Sequence, residues 1–156
     1  AAYKFLTHDL VKEIGKINTE VAIFQDLMDT PCKGMIDIVP DDENAPLFDL
    51  KTTASIESVD QLTRIILNRG YHWQAAMYLD LWNQASGENR KDFIFIFMET
   101  TAPYEMAFIR LDHEFIELGR KQYQKALSYF VTCRDMNYFP PVISGIETIS
   151  LPKWAN

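Results

Sequence analysis

The sequence feature that most constrains the fold is an apolar run in DFIFIFM at residues 92–98. From Phe93 to Phe97, Phe and Ile alternate without a polar residue, and both residue types favour strands. A run of this length and composition predicts a strand that is buried on both of its faces. Other elements must therefore cover both faces of its sheet.

The hydrophobic period changes several times along the rest of the chain. A capping-box pattern, Ser58-x-x-Gln61, precedes a helical segment that Gly70 ends, and Asp112 is a candidate N-cap for a long helix. The short connections between the first three strands indicate an antiparallel meander, and the proline-rich tail after residue 135 is expected to follow the surface without regular structure. The predicted elements are a helix at 8–17, strands at 20–26, 32–39 and 47–51, helices at 58–70 and 71–85, strands at 92–98 and 104–111, and a helix at 113–135. This order predicts an α/β (α+β) fold, with a mixed sheet flanked by helices.

Length and composition restrict the class of protein further. The chain has 156 residues, which suits a single domain, and 13% of them are aromatic, which excludes a disordered chain. Cys32 and Cys133 are too few for a disulfide scaffold or a four-cysteine site, and they suit the reducing cytoplasm, where we expect the protein to be. No apolar stretch is long enough to span a membrane.

The net charge of −7 argues against a protein that coats nucleic acid through bulk positive charge. A local carboxylate cluster that a divalent cation neutralises remains compatible with this charge. The sequence has no phosphate-binding glycine loop, HExxH, CxxC or GxSxG motif, and its three histidines are scattered. Nucleophilic Ser or Cys catalysis therefore has no support.

The strongest chemical signal surrounds the loop between Pro40 and Pro46. If the turn is symmetric, Asp37 lies directly across from Asp49, and Asp37 points away from its apolar neighbours in the strand. Lys51 leaves the same strand face as Asp49. Two facing carboxylates with a backbone carbonyl and waters suit Mg²⁺, and a neighbouring ammonium suits metal-assisted phosphodiester hydrolysis. A salt-bridged, exposed strand face is the alternative from the residues alone.

These residues fall in three blocks whose order resembles that of the PD-(D/E)xK nuclease superfamily. The blocks are GMID at 34–37, DLKTT at 49–53 and QAAMY at 74–78. The trio G-x-x-D, D-x-K-T and Q-x-x-x-Y resembles the RecB-like nucleases. Within these, GYHWQAAMYLD at 70–80 and LPKW at 151–154 are most similar to RecE-type exonucleases (exodeoxyribonuclease VIII) of phages and prophages. The resemblance implies a restriction-endonuclease-like fold.

The resemblance implies roles for the central residues. Asp37 and Asp49 would ligate Mg²⁺, or Mn²⁺ in its place, with the Leu50 carbonyl as a third ligand. Lys51 would serve the attacking water. Asp37, Asp49 and Lys51 are thus the expected catalytic residues.

Supporting roles follow from the same resemblance. Gln74 and Tyr78, one helical turn apart, would hold Lys51, the DNA backbone or both. Glu20, at the start of the first predicted strand, matches a common acidic position of RecB-like nucleases. Thr52 and Thr53 would donate to a DNA phosphate, or else cap the next segment.

The activity implied is a Mg²⁺-dependent exodeoxyribonuclease that degrades linear duplex DNA from 5′ to 3′. It would leave 3′ single-strand tails for phage-type homologous recombination. The implied partners are double-stranded DNA ends, a RecT-like single-strand annealing protein and further copies of the chain in a ring-shaped homo-oligomer.

The chain also departs from the family pattern. RecE-type and RecB-type enzymes usually carry a metal-ligating His well upstream, and His8 is too close to Asp37 for that role. We therefore expect residues 1–156 to form one nuclease domain that lacks the family's N-terminal helical part. Three alternatives stay open: another RecB-like or Cas4-like nuclease, an inactive nuclease fold that binds DNA, and a globular protein with a chance D-x-K.

Overall fold

A computed structural model describes residues 14–152 of the chain. Within that range, five strands form one sheet in the order β1-β2-β3-β4-β5, and three helices accompany it. The strands are β1 (Ile17–Leu27), β2 (Thr30–Pro40), β3 (Leu47–Thr53), β4 (Phe93–Glu99) and β5 (Met106–Arg110). The helices are α1 (Val59–Asn68), α2 (Tyr71–Ser86) and α3 (His113–Asp135).

The sheet is mixed, as the order of elements predicted. Strands β1, β2 and β3 form the antiparallel meander, and β4 and β5 form an antiparallel pair. Strand β3 runs parallel to β4, so the chain must cross over between them, and α1 and α2 make that crossover. Within residues 14–152, every helix is too short or too polar to cross a membrane.

Strand β4 lies at the centre of the core and is buried on both faces, as its sequence predicted. Phe93, Phe95 and Phe97 belong to the larger apolar cluster, with α2, α3 and β1. Ile94 and Ile96 point to the other face and belong to a smaller cluster. Because successive side chains of a strand point to opposite faces, the single apolar run of β4 contributes to both clusters.

The predicted helix starts are confirmed. The Ser58 hydroxyl accepts a hydrogen bond from the Gln61 N–H at 3.1 Å and begins α1. The Asp112 carboxylate accepts one from the Phe115 N–H at 2.8 Å and begins α3. Gly70 adopts a left-handed backbone (φ 66°) between α1 and α2, which a residue without a Cβ tolerates best.

Some predicted boundaries are wrong or lie outside the described residues. The predicted helix at 8–17 does not reach its predicted end, because Ile17 already begins β1. Residues 8–13, with His8, and residues 153–154 of the LPKW block lie outside the described range. The tail at 136–152 forms neither helix nor strand, as predicted.

Helices α2 and α3 pack unusually closely at Gly119. A Cβ atom at Gly119 would lie 2.1 Å from the backbone oxygen of His72, so only glycine fits there. About two turns further along α2, Asp80 pairs with Arg120 of α3 at 2.7 Å. This close contact fixes α2, which lies against the sheet and carries residues of the candidate site.

Candidate active site

The β2–β3 hairpin brings Asp37 and Asp49 together in the predicted register. Ile38 pairs with Phe48, and the next position along these antiparallel strands places Asp37 opposite Asp49. An oxygen of Asp37 accepts a hydrogen bond from the Leu50 N–H at 2.8 Å. The Asp37 carboxylate therefore accepts the hydrogen bond that a backbone carbonyl of β2 would accept in a regular pair of strands. The two strands diverge at this position.

The predicted alternation of β2 around Asp37 is wrong. Ile36 packs in the larger apolar cluster and Ile38 in the smaller one, so these residues do not share a face. The irregularity is matched on β1, where Glu20 lies opposite Asp37 and has a positive φ of 52°. Such local irregularities change the direction of side chains and are frequent near active sites.

Glu20 lies at the same level of the sheet as the two aspartates. It is flanked by pairs of Thr19 with Ile38 and of Val21 with Ile36, and it is exposed. It lies inside β1 and does not open the strand, because β1 begins at Ile17. The expected supporting role of Glu20 remains a prediction.

Helix α2 contributes Gln74, which the family resemblance implied would hold Lys51, the DNA backbone or both. Its side-chain amide donates a hydrogen bond at 2.7 Å to Oδ1 of Asp49. Gln74 therefore holds the buried carboxylate directly. Asp49 is fixed from the helix side as well as from its own strand.

Lys51 forms an ion pair with Oδ2 of Asp49. Its ammonium lies 4.6 Å from the ring centroid of Tyr71 and 5.5 Å from that of Phe95. Aromatic faces attract cations, so these two rings hold the ammonium beside the carboxylate. Sequence reasoning missed both rings, although Tyr71 lies three residues before Gln74 and therefore on the same face of α2.

Tyr78 packs against β2, the strand that carries Asp37. A Cβ atom at Gly34 would lie 2.9 Å from Cε1 of Tyr78, so the absence of a side chain at Gly34 makes room for the ring. The ring also lies 6.5 Å from that of Phe93. The structure thus relates the G-x-x-D and Q-x-x-x-Y blocks physically, because Gly34 receives Tyr78 while Gln74 reaches Asp49.

The two threonines after Lys51 differ in their surroundings. Thr52 is exposed at the surface. The Thr53 hydroxyl donates to the Ser55 carbonyl at 3.1 Å, which stabilises the turn after β3. This contact matches the capping alternative for Thr53, and a phosphate contact from Thr52 remains a prediction.

Arg90 fixes the loop that joins the two aspartate strands, a role that no motif in the sequence indicates. Its side chain is buried and donates to the carbonyls of Pro40 at 2.8 Å and Ala45 at 3.4 Å. It also forms an ion pair with Glu88 at 2.5 Å. Because Pro40 and Ala45 lie near the two ends of the loop, Arg90 holds the strand ends on which the register of Asp37 and Asp49 depends.

The donor atoms fit a hard divalent cation. Oδ2 of Asp49 is buried and, apart from its ion pair with Lys51, has no hydrogen bond to any residue within 14–152. Asp37 supplies a second carboxylate across the strands. No three His, Cys, Asp or Glu side chains converge within the same range. Mg²⁺ accepts so small a set of protein ligands, because it keeps several of its waters.

Burial raises the pKa of the Asp49 carboxyl above its ordinary value. The Lys51 ammonium lowers this pKa by its hydrogen bond and its charge, the Asp37 charge raises it, and the Gln74 hydrogen bond lowers it, but the effect of burial is the largest. Even with the Lys51 ammonium beside it, the ionised carboxylate is therefore less favourable in this position than in water. A bound divalent cation would favour the charged form.

This shift predicts that Asp49→Asn stabilises the metal-free protein at neutral pH. Because the pKa is raised on folding, the stabilising contribution of Asp49 is complete below the unfolded value of 3.8 and is lost as the pH rises through the folded pKa. Asn stays neutral, so urea unfolding in EDTA should show a more stable variant at pH 7 and a smaller difference near pH 4. Equal or lower stability of the variant at pH 7 would contradict this. Mg²⁺ should stabilise only the wild type.

Comparison with known proteins agrees with this geometry. Residues 3–151 match the family described as "PDDEXK-like domain of unknown function (DUF3799)". No curated protein matches the chain in sequence.

Several solved structures are similar to the chain. One is a protein from Eubacterium rectale that is provisionally named an exonuclease, with a TM-score of 0.75 and 14% identity over 96% of this chain. The chain spans only 60% of the length of that protein, and at this identity the likeness concerns the fold alone. Another is SSO0001, with a TM-score of 0.42, 18% identity and coverage of 72% of this chain and 50% of that one.

The family match covers most of the chain, and the fold is restriction-endonuclease-like, as predicted. The order of the three sequence blocks agrees with that match. The chain therefore belongs to the PDDEXK-like domain family DUF3799, within the PD-(D/E)xK superfamily of nucleases.

Proposed function

We propose that this chain is a Mg²⁺-dependent exodeoxyribonuclease that degrades linear duplex DNA from its 5′ ends. The observation that carries the proposal is the meeting of Asp37, Asp49 and Lys51 at the point where β2 and β3 diverge. The superfamily match supports a nuclease, and the E. rectale structure supports the nuclease fold. The polarity of digestion and the exonuclease mode rest on the RecE-type resemblance of the sequence blocks.

The residues of the candidate site would have different roles in this reaction. Asp37 and Asp49 would hold the cation, together with the Leu50 carbonyl, and Gln74 would keep Asp49 oriented. When bound there, such a cation would make its water more acidic and stabilise charge on the phosphoryl oxygens. Lys51, held beside Asp49, would orient the attacking water and counter the negative charge that develops on the phosphate.

The wider role is proposed from the same resemblance. The products would be duplexes with 3′ single-strand tails, which a RecT-like annealing protein would receive during phage-type recombination. A ring-shaped homo-oligomer around the DNA would let a chain of net charge −7 place its basic residues on an inner surface.

Digestion of end-labelled DNA tests the proposal. A linear duplex labelled at its 5′ or 3′ ends should lose 5′ label first, and only when Mg²⁺ is present. A covalently closed circle of the same sequence should stay intact, since it has no end. Cleavage of the circle would show endonuclease activity and contradict the proposed exonuclease mode. Absence of cleavage with Mg²⁺ still bound would indicate an inactive nuclease fold.

A further inference from the structure

The tail after α3, residues 136–152, is an exposed apolar segment that we call the C-terminal arm. Val142, Ile146 and Ile149 are 95–102% exposed, and Ile143 and Leu151 are also exposed. Single exposed apolar residues are common on protein surfaces, but a contiguous series marks an interaction site. The arm carries one charged side chain, Glu147, so its surface is mainly apolar.

The same chain has an apolar groove between α2 and α3. Its volume is about 310 Å³, and Trp73 and Phe130 are partly exposed at it. None of its lining residues is charged: Trp73, Gln74, Met77, Tyr123, Ala126, Leu127 and Phe130. A nucleic acid strand brings phosphates that call for nearby cations, so this lining suits an apolar peptide better.

The arm and the groove meet at one point. The ring of Phe139, in the arm, lies 5.9 Å from that of Phe130, in the groove wall. Beyond Phe139 the arm leaves the body of the domain, since residues 142–151 are exposed. The arm therefore starts at the edge of the groove, and its later apolar residues do not lie in the groove of their own chain.

We propose that the groove binds the C-terminal arm of a second copy of this chain. Each copy then places its own arm in the groove of a neighbouring copy and receives a neighbour's arm in its own groove. Identical chains can therefore bury every arm and fill every groove in a closed, symmetric assembly. Gln74 lines the groove and also holds Asp49, so the docked arm would lie next to the candidate active site. The proposal does not depend on nuclease activity.

Three variants of the full chain test it. The arm variant is Ile146→Asp with Ile149→Asp, and the groove variant is Ala126→Glu, which adds a charge at an exposed helical position without removing a core side chain. Val59→Asp, at an exposed apolar position on α1, is the control. Sedimentation velocity at micromolar concentration measures the assembly, and thermal unfolding checks the fold.

We expect the wild type and the control to form oligomers, and the arm and groove variants each to fall to the monomer mass of 18.1 kDa. An equimolar mixture of the two variants should form dimers again, because one intact arm then meets one intact groove. A monomeric wild type, arm variants that stay oligomeric, or a mixture that does not reassociate would each overturn the proposal. Loss of DNA binding in Ala126→Glu with an unchanged oligomer would assign the groove to nucleic acid instead.

Discussion

Replacing Lys51 by alanine is expected to lower Mg²⁺-dependent DNA cleavage by about 10²–10⁴-fold. Lys51 is the cation that two aromatic rings hold beside the buried Asp49 carboxylate. Its removal takes away the group that would orient the attacking water, while Asp37 and Asp49 still offer their oxygens. Single-turnover digestion of a linear duplex at saturating Mg²⁺ measures the loss.

Lys16→Ala is the matched control. Lys16 is also paired with an aspartate, Asp41, at 3.2 Å, but it is exposed and belongs to a surface ion pair. The rate of DNA cleavage by the Lys16→Ala variant should stay close to that of the wild type. If Lys51→Ala retained cleavage within tenfold of the wild type while folding normally, Lys51 would not be a catalytic residue.

The second large effect concerns stability. Gly119→Ala should reduce the free energy of unfolding by at least about 3 kcal/mol. The added Cβ would lie 2.1 Å from the backbone oxygen of His72, and a backbone atom in a helix cannot turn away as a side chain does. Helices α2 and α3 would have to separate, which would also displace Gln74. Urea unfolding followed by circular dichroism measures the change.

Gly87→Ala separates steric overlap from the general cost of replacing a glycine. Gly87 has a φ of 77°, and within residues 14–152 no atom beyond its two chain neighbours lies within 4 Å of a Cβ built there. Its substitution should therefore cost only the strain of a left-handed backbone, about 1–2 kcal/mol. A Gly119→Ala variant no less stable than Gly87→Ala would show that the helix contact adapts easily.

The sequence was most informative where neighbours along the chain decide the structure. Strand β4 was predicted from its uninterrupted apolar run, and the start of α3 from a single capping aspartate. The pairing of Asp37 with Asp49 followed from the two prolines that bound the hairpin loop, because turn length sets the register of an antiparallel pair. The resemblance of the three sequence blocks indicated which residue types form the candidate site, but not which side chains contact one another there.

The sequence was least informative where helix α2 meets the sheet. Gln74 was expected to hold Lys51, the DNA backbone or both, and its hydrogen bond to Asp49 was not anticipated. The rings around Lys51 come from Tyr71 on α2 and Phe95 on β4, which are far apart in the chain. Nothing in the local pattern at any of these positions specifies how the helix lies across the strands.

The sequence by itself therefore indicated most of the elements, the mixed sheet, the register of the aspartate hairpin and the three central residues of the candidate site, Asp37, Asp49 and Lys51. Tertiary structure alone decided three further features. The first is the irregular β1–β2 pair, in which Ile36 and Ile38 pack on different faces. The second is the set of hydrogen bonds from Arg90 to the hairpin loop, and the third is the close contact at Gly119 that fixes α2. The physical reason is that period and turn length act between residues near in the chain, whereas side-chain packing between helix and sheet depends on positions that only the complete fold defines.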